Sequence, residues 1–213
     1  MIKDQQDKIK KIAIRGEEIE KVSRFKYLGC QLNDTWDCDN EIRCRIEMAR
    51  NAFMKYKNTL TSCDINIKLR LRFVMCYVWS ILLYGAETWT LKVASMNRLE
   101  AFEMWCYRRL LKISWTQRVT NKAVLQRLNK ERELLLKIKK RKTAYLGHIV
   151  RNEKYEILQL IIQGKIEGRR RIGRKQFSWL RNIRNWTGLR TIEEIMQSAR
   201  DREHFTQVIN NIT

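Results

Sequence analysis

The amino-acid sequence predicts a mainly α-helical protein, and three observations carry that expectation. The 213 residues include no proline, where an average usage of about 5% would supply roughly eleven. There are only 8 glycines, about half the usual share of roughly 7%. Apolar residues make up 44% and include seven tryptophans, enough to bury a core and to exclude wholesale disorder. Residues that break helices or favour sharp turns are scarce, which argues against turn-rich sandwiches and barrels and against collagen-like chains. At roughly 150 residues per domain, the length suits one domain or two small ones.

Residues Ile9 to Leu32 alternate in the strand manner. Ile12 and Ile14 precede a Gly16–Glu17 turn, and Ile19, Val22, Phe25 and Tyr27 follow it. This reads as two or three short strands in an N-terminal β-hairpin. Asp37 to Asn40 offers N-caps for a helix from Glu41 whose stripe is Ile42, Ile46, Ala49 and Phe53. A second helix, from Ile65 to Tyr84, is apolar nearly all round in its second half. Such a helix is expected to be buried on every side, with Gly85 ending it. A third, from Ser95 to Ile113, stacks Leu99, Phe102, Cys106, Leu110 and Ile113.

Thr120 caps a short helix bearing Val124, Leu125 and Leu128. The next, Glu131 to Arg151, repeats Leu135, Ile138, Tyr145 and Ile149 along one side and carries Lys137, Lys139, Lys140, Arg141 and Lys142 on the other. Tyr155 to Ile166 suits a short helix followed by a strand. Gly168 to Gly173 is a glycine-flanked basic loop leading into a helix with Phe177, Leu180, Ile183 and Trp186. Thr191 and Glu194 form a capping box for a last helix reaching Ile209.

Charge points to the partner. Lysine and arginine number 44 against 23 acidic residues, a net of +21. Residues 101–213 hold 26 of those basic groups and 10 of the acids. Such density repels itself unless a polyanion neutralises it, and nucleic acid is the commonest one. The longest apolar run, Phe73 to Tyr84, has twelve residues, too short for the ~20 a bilayer requires. The N-terminus is polar and charged, unlike a signal peptide. An intracellular location, cytoplasmic or nuclear, with no membrane partner is expected.

The six cysteines show no CxxC spacing, and His148 and His204 are isolated, so no zinc site is expected. Cys76 and Cys106 read as core thiols. The one acidic cluster, Asp34, Asp37, Asp39 and Glu41, opens a helix and reads as capping. No phosphate-loop, Ser/His/Asp or Cys/His pattern appears, so no catalytic residue is assigned. Binding machinery is what remains. In GRRRIGRK, glycines bracket Arg169, Arg170 and Arg171, with Arg174 and Lys175 beyond, so backbone and side chains can both approach phosphates. The following helix interleaves Trp179, Arg181, Arg184 and Trp186, the arginines suited to phosphate and the tryptophans to core packing or base stacking.

The order of motifs resembles one family. FKYLG (Phe25–Gly29), DCDNEIRCRI (Asp37–Ile46), LLYGAETWTL (Leu82–Leu91), RRLLKISW (Arg108–Trp115), YLGHIVR (Tyr145–Arg151) and the segment from Gly168 to Leu189 look like the carboxy-terminal part of a LINE-type (non-LTR) retrotransposon endonuclease–reverse transcriptase. The resemblance implies that Tyr27, Leu28 and Gly29, with Phe25, form the primer grip, in a palm remnant over 1–40. It implies a helical thumb-like bundle over 41–120 and a basic helical nucleic-acid-binding region over 121–213. RNA and DNA would be the partners: template–primer, element RNA and target DNA. No cofactor is expected in this chain; the parent polymerase would use Mg, held by aspartates expected upstream of residue 1. Two departures stand out: Lys175 occupies a place where the family commonly has proline, and the cysteine/histidine knuckle of many relatives is missing. The alternative is a domesticated or structural helical protein-interaction module with no nucleic-acid role.

Overall fold

A computed structural model describes residues 12–20, 22–33, 38–165 and 178–213. They are mainly helical, as the composition predicts. The chain divides into two compact units, Met1–Trp36 and Asp37–Thr213.

The first unit holds two antiparallel hairpins. β1 (Ile12–Ile14) pairs with β2 (Glu17–Ile19), and β3 (Arg24–Tyr27) pairs with β4 (Cys30–Asn33). Each closes through two residues with positive φ, Arg15–Gly16 (54° and 84°) and Leu28–Gly29 (46° and 81°). That pattern is the type I′ turn, whose twist matches the strands it joins. Glycine accepts the second position freely, whereas Arg15 and Leu28 sustain about 1 kcal/mol of strain each. Among the described residues the strands thus number four, where two or three are expected. The first turn lies at Arg15–Gly16, one residue earlier than expected, because the register sets Ile14 opposite Glu17.

In the second unit, α1 (Asp39–Lys55) buries Ile42, Ile46, Ala49 and Phe53, the stripe its spacing predicts. α2 (Lys57–Thr61) follows. Asn66 then caps α3 (Ile67–Phe73), accepting from the Lys68 amide at 2.9 Å. The rod continues as a π-helical stretch, Val74–Trp79, and α4 (Ser80–Leu82), and Gly85 turns the chain with φ 69°. The rod is not buried on every side. Leu71, Val74, Val78, Trp79 and Leu82 face the core, while Cys76 and Tyr77 face out. Wide π turns still place residues three to five apart on one face, so the opposite face remains in solvent. Cys76 is therefore an exposed thiol, and Cys106 a buried one whose pKa burial pushes up.

α5 (Val93–Leu110), α6 (Asn121–Leu128) and α7 (Leu134–Arg151) come next. No side chain of its own first turn caps α7. Glu103 of α5, fully buried, does so from across the fold, accepting from the Glu133 and Leu134 amides at 2.8 and 3.2 Å. Burial raises the Glu103 carboxyl above the usual carboxylate range, and these amides with the Tyr107 hydroxyl pull it part of the way back.

α8 (Glu156–Gln163) ends at Gly164, φ 71°. α9 (Trp179–Thr187), α10 (Ile192–Arg200) and α11 (Arg202–Asn210) complete the order. The Thr191–Glu194 capping box is present, but the single last helix is in fact two. Asp201 leaves helical geometry at ψ 112° and caps α11 by accepting from the Glu203 and His204 amides. Two buried clusters form the core. α1, the rod, α5 and the first half of α7 make one; the second half of α7 packs with Ile183, Ile195, Ala199 and Phe205 in the other. Burying each large side chain there contributes about 1.5–3 kcal/mol.

Candidate nucleic-acid interface

The sequence places five cations on one polar face of α7, and in the structure all five have partners within the fold. Lys137 lies 3.6 Å from the Glu133 carboxylate, with its ammonium 4.8 Å from the centre of the Trp79 ring. Lys139 donates to the Thr213 carbonyl at 2.6 Å and Lys140 to the Asn210 carbonyl at 3.2 Å. Arg141 donates from Nε to Glu87 Oε1 at 2.8 Å. These four remain partly in water, so their contacts contribute about 0–1 kcal/mol each and leave the heads able to meet a phosphate.

Lys142 differs in kind, and its assignment to a binding face is corrected. It is 0% exposed. Its ammonium donates to the Trp89 carbonyl at 2.7 Å and to Asn182 Oδ1 at 2.8 Å, between the rings of Trp179 (4.9 Å) and Trp186 (5.3 Å). Asn182 closes the knot by pairing with the backbone of Leu91, accepting from its amide and donating to its carbonyl, each at 2.9 Å. Burial pushes the Lys142 ammonium down to about 7, even though two acceptors and two aromatic faces favour its charged form.

Trp179 belongs to the same knot. Its Nε1 donates to the Glu87 carbonyl at 2.8 Å, and its ring covers Lys142. The indole is thus committed to packing, and its place among the base-stacking candidates is corrected as well. Trp186 packs against the larger cluster. Arg181 and Arg184 lie on the exposed side of α9, one turn apart. Ser178 opens that helix by accepting from the Arg181 amide at 3.2 Å. Arg169, Arg170, Arg171, Arg174 and Lys175 lie outside the described residues. Tyr27, Leu28 and Gly29 form the exposed tip of the β3–β4 hairpin, Tyr27 57% and Leu28 73% exposed.

Of the acidic cluster, Asp39 and Glu41 serve the fold, while Asp34 and Asp37 lie outside the described residues. Glu41 pairs with Arg45 at 2.7 Å, both buried. Asp39 accepts from the Ser95 hydroxyl, with Lys92 and Arg98 close by. Partial burial raises its pKa, but these partners outweigh that and hold it below the usual value. Asn182 is the residue that reading the sequence missed. Its only signal is a carboxamide one turn after Trp179 on an otherwise apolar stripe.

Over 205 residues the chain is 28% identical to an uncharacterized transposon-derived protein of Caenorhabditis elegans, a match spanning 92% of this chain and 73% of that protein. A transposon-related origin is consistent with this match. No family model and no solved structure matches the chain. Among the described residues, no helix is long and apolar enough to cross a membrane.

Proposed function

We propose that this chain is a nucleic-acid-binding part of a retrotransposon reverse transcriptase of the LINE type, holding RNA or DNA and performing no chemistry itself. The observation that carries the reading is the excess of 26 basic over 10 acidic residues across 101–213, in a chain with a transposon-derived relative. No adjacent pair of aspartates occurs in residues 1–213, so the parent's RNA-directed DNA synthesis and its Mg chemistry are assigned to none of these side chains. Three features support the finer assignment. The β3–β4 tip presents Tyr27, Leu28 and Gly29 to solvent, as a primer grip requires. The helices over 41–120 would act as the thumb along a template–primer duplex. The region 121–213 would bind element RNA and target DNA through Arg181, Arg184 and the arginines of 169–174.

The test is the salt dependence of binding to unspecific RNA and DNA. The plot of log K against log[salt] should fall with a slope of magnitude several, about 0.7–0.9 for each neutralised phosphate. A flat plot overturns the reading. Replacing Arg169, Arg170, Arg171 and Arg174 with Ala should reduce the slope by roughly one for each phosphate no longer held.

A further inference from the structure

At the carboxy-terminal end of α5, against α1 and α2, lies a cleft of about 320 Å³. Its walls carry Lys57, Arg109 and Lys112 with the polar Thr61 and Ser114, over a floor formed by buried Phe53. Among the described residues, no acidic side chain lines it. The absence of an opposing carboxylate separates this cleft from the α7 face, where Glu133 and Glu87 meet the cations.

Cations often gather at a helix end because they offset its partial negative charge. Here the last carbonyls of α5 are answered by other donors. The Ile113 amide bonds the Arg108 carbonyl at 2.9 Å, and the Lys112 amide bonds the Arg109 carbonyl at 3.1 Å. Arg70 donates to the Leu110 carbonyl, also at 2.9 Å. That paired closure places Lys112 at a left-handed position, φ 54°, where glycine is the usual and less strained residue. A lysine there sacrifices backbone comfort and sets a charge at the cleft, its ammonium 3.5 Å from the Cys63 sulfur, a weak acceptor. Arg109 is preorganised too, its guanidinium lying 4.3 Å from the centre of the Trp105 ring.

One residue past the cleft wall stands Trp115, 88% exposed. It is not on a loose tail. Ser114 opens a 3-10 turn over Trp115–Gln117, its carbonyl accepting from the Gln117 amide at 3.2 Å and the Trp115 carbonyl accepting from Arg118 at 3.3 Å. An uncovered indole on an ordered turn beside an acid-free basic cleft has the chemistry of a stacking platform. Aromatic faces take any unpaired base, while adjacent cations follow the backbone.

We propose that this cleft and Trp115 form a binding site for an unpaired nucleic-acid strand, with Lys57, Arg109 and Lys112 holding phosphodiesters and Trp115 stacking a neighbouring base. The site lies within the helices assigned above to the thumb and adds to them a pocket for an unpaired strand; it rests on the nucleic-acid reading in sharing its class of partner.

The experiment measures binding of a fluorescein-labelled oligothymidylate to the full chain, by anisotropy across a salt series. Trp115→Ala should weaken binding on the order of tenfold with the salt slope intact, since stacking is not ionic. Lys57→Ala and Lys112→Gly should each lower the slope by about 0.7. Lys112→Gly relieves the left-handed strain, so weaker binding there is not a failure to fold. An abasic oligomer of equal length should bind wild type and Trp115→Ala alike. If wild type binds with a steep slope while all three variants match it, this site is overturned and the broader reading stands. If wild type binds no nucleic acid, both fall. If inorganic triphosphate displaces the oligomer at equal concentration of phosphate groups, the cleft is a simple anion site and the strand proposal is overturned.

Discussion

α7 and the cleft at the end of α5 are both rich in lysine and arginine, yet their cations are placed differently. On α7, each cation of the row from Lys137 to Lys142 reaches a carboxylate, a carbonyl or an aromatic ring of the same chain. At the cleft, Lys57, Arg109 and Lys112 converge where no described lining residue is acidic. A count of charge treats the two regions alike. Burial separates Lys142, which holds the fold, from the solvent-reaching cations of both regions, which remain available to a ligand.

The largest test of that contrast is Lys142→Ala. It takes the lysine donor from the Trp89 carbonyl, leaves Asn182 Oδ1 with the Leu91 amide alone, and opens a void between two tryptophans. Stability should fall by about 3 kcal/mol, read as a lower urea midpoint. The folded variant should keep the wild-type salt slope; a lower slope with unchanged stability would place Lys142 on the ligand side instead. Glu103→Ala should follow at about 2 kcal/mol, because two amides at the start of α7 and the Tyr107 hydroxyl lose their acceptor. A smaller loss for Glu103→Gln, which retains an acceptor, would confirm that the cap matters more than the charge.

The third test uses pH. The Lys142 ammonium titrates near 7 in the folded chain, its pKa lowered to about 7, and at about 10.4 when unfolded. Between those values the unfolded state holds the extra proton, so stability rises with pH, by at most about 1.4 kcal/mol per pH unit. Below the folded value both states are charged and this contribution is flat. Lys142→Met should erase the rise, and equal pH profiles for the two proteins would refute the depressed titration. The smallest effects belong to the exposed cations. Arg141→Ala should cost under about 1 kcal/mol, and Lys112→Gly should stabilise by about 0.5–1 kcal/mol through relief of its positive φ.

Much of the fold was legible because apolar side chains recur at helical spacing. Ile42, Ile46, Ala49 and Phe53 are the clearest case, and the Thr191–Glu194 box marks a helix start without any tertiary information. Lys142 shows where such reading fails. It stands four residues after Ile138 and four before Leu146, squarely on the buried row of α7. Its chemistry suggested solvent while its position required the core, and the Trp89 carbonyl together with Asn182 and the tryptophans of a distant helix makes the burial tolerable. The break at Asp201 was hidden for the opposite reason: the apolar pattern runs through it, and a local side-chain cap decides. The cleft was illegible because Lys57 and Lys112 are far apart in sequence and only the packing of α2 against α5 joins them.

The enclosure of Lys142 also makes the amine a clock. An acylating reagent meets the exposed lysines of this chain at once, but it reaches Lys142 only when α9 lifts from α7. The lag before that one site is modified therefore measures how often this part of the core opens, a free energy for local unfolding obtained without denaturant. Once opened, the amine regains the reactivity of an ordinary lysine, so the exposed lysines serve as the internal standard against which the lag is read.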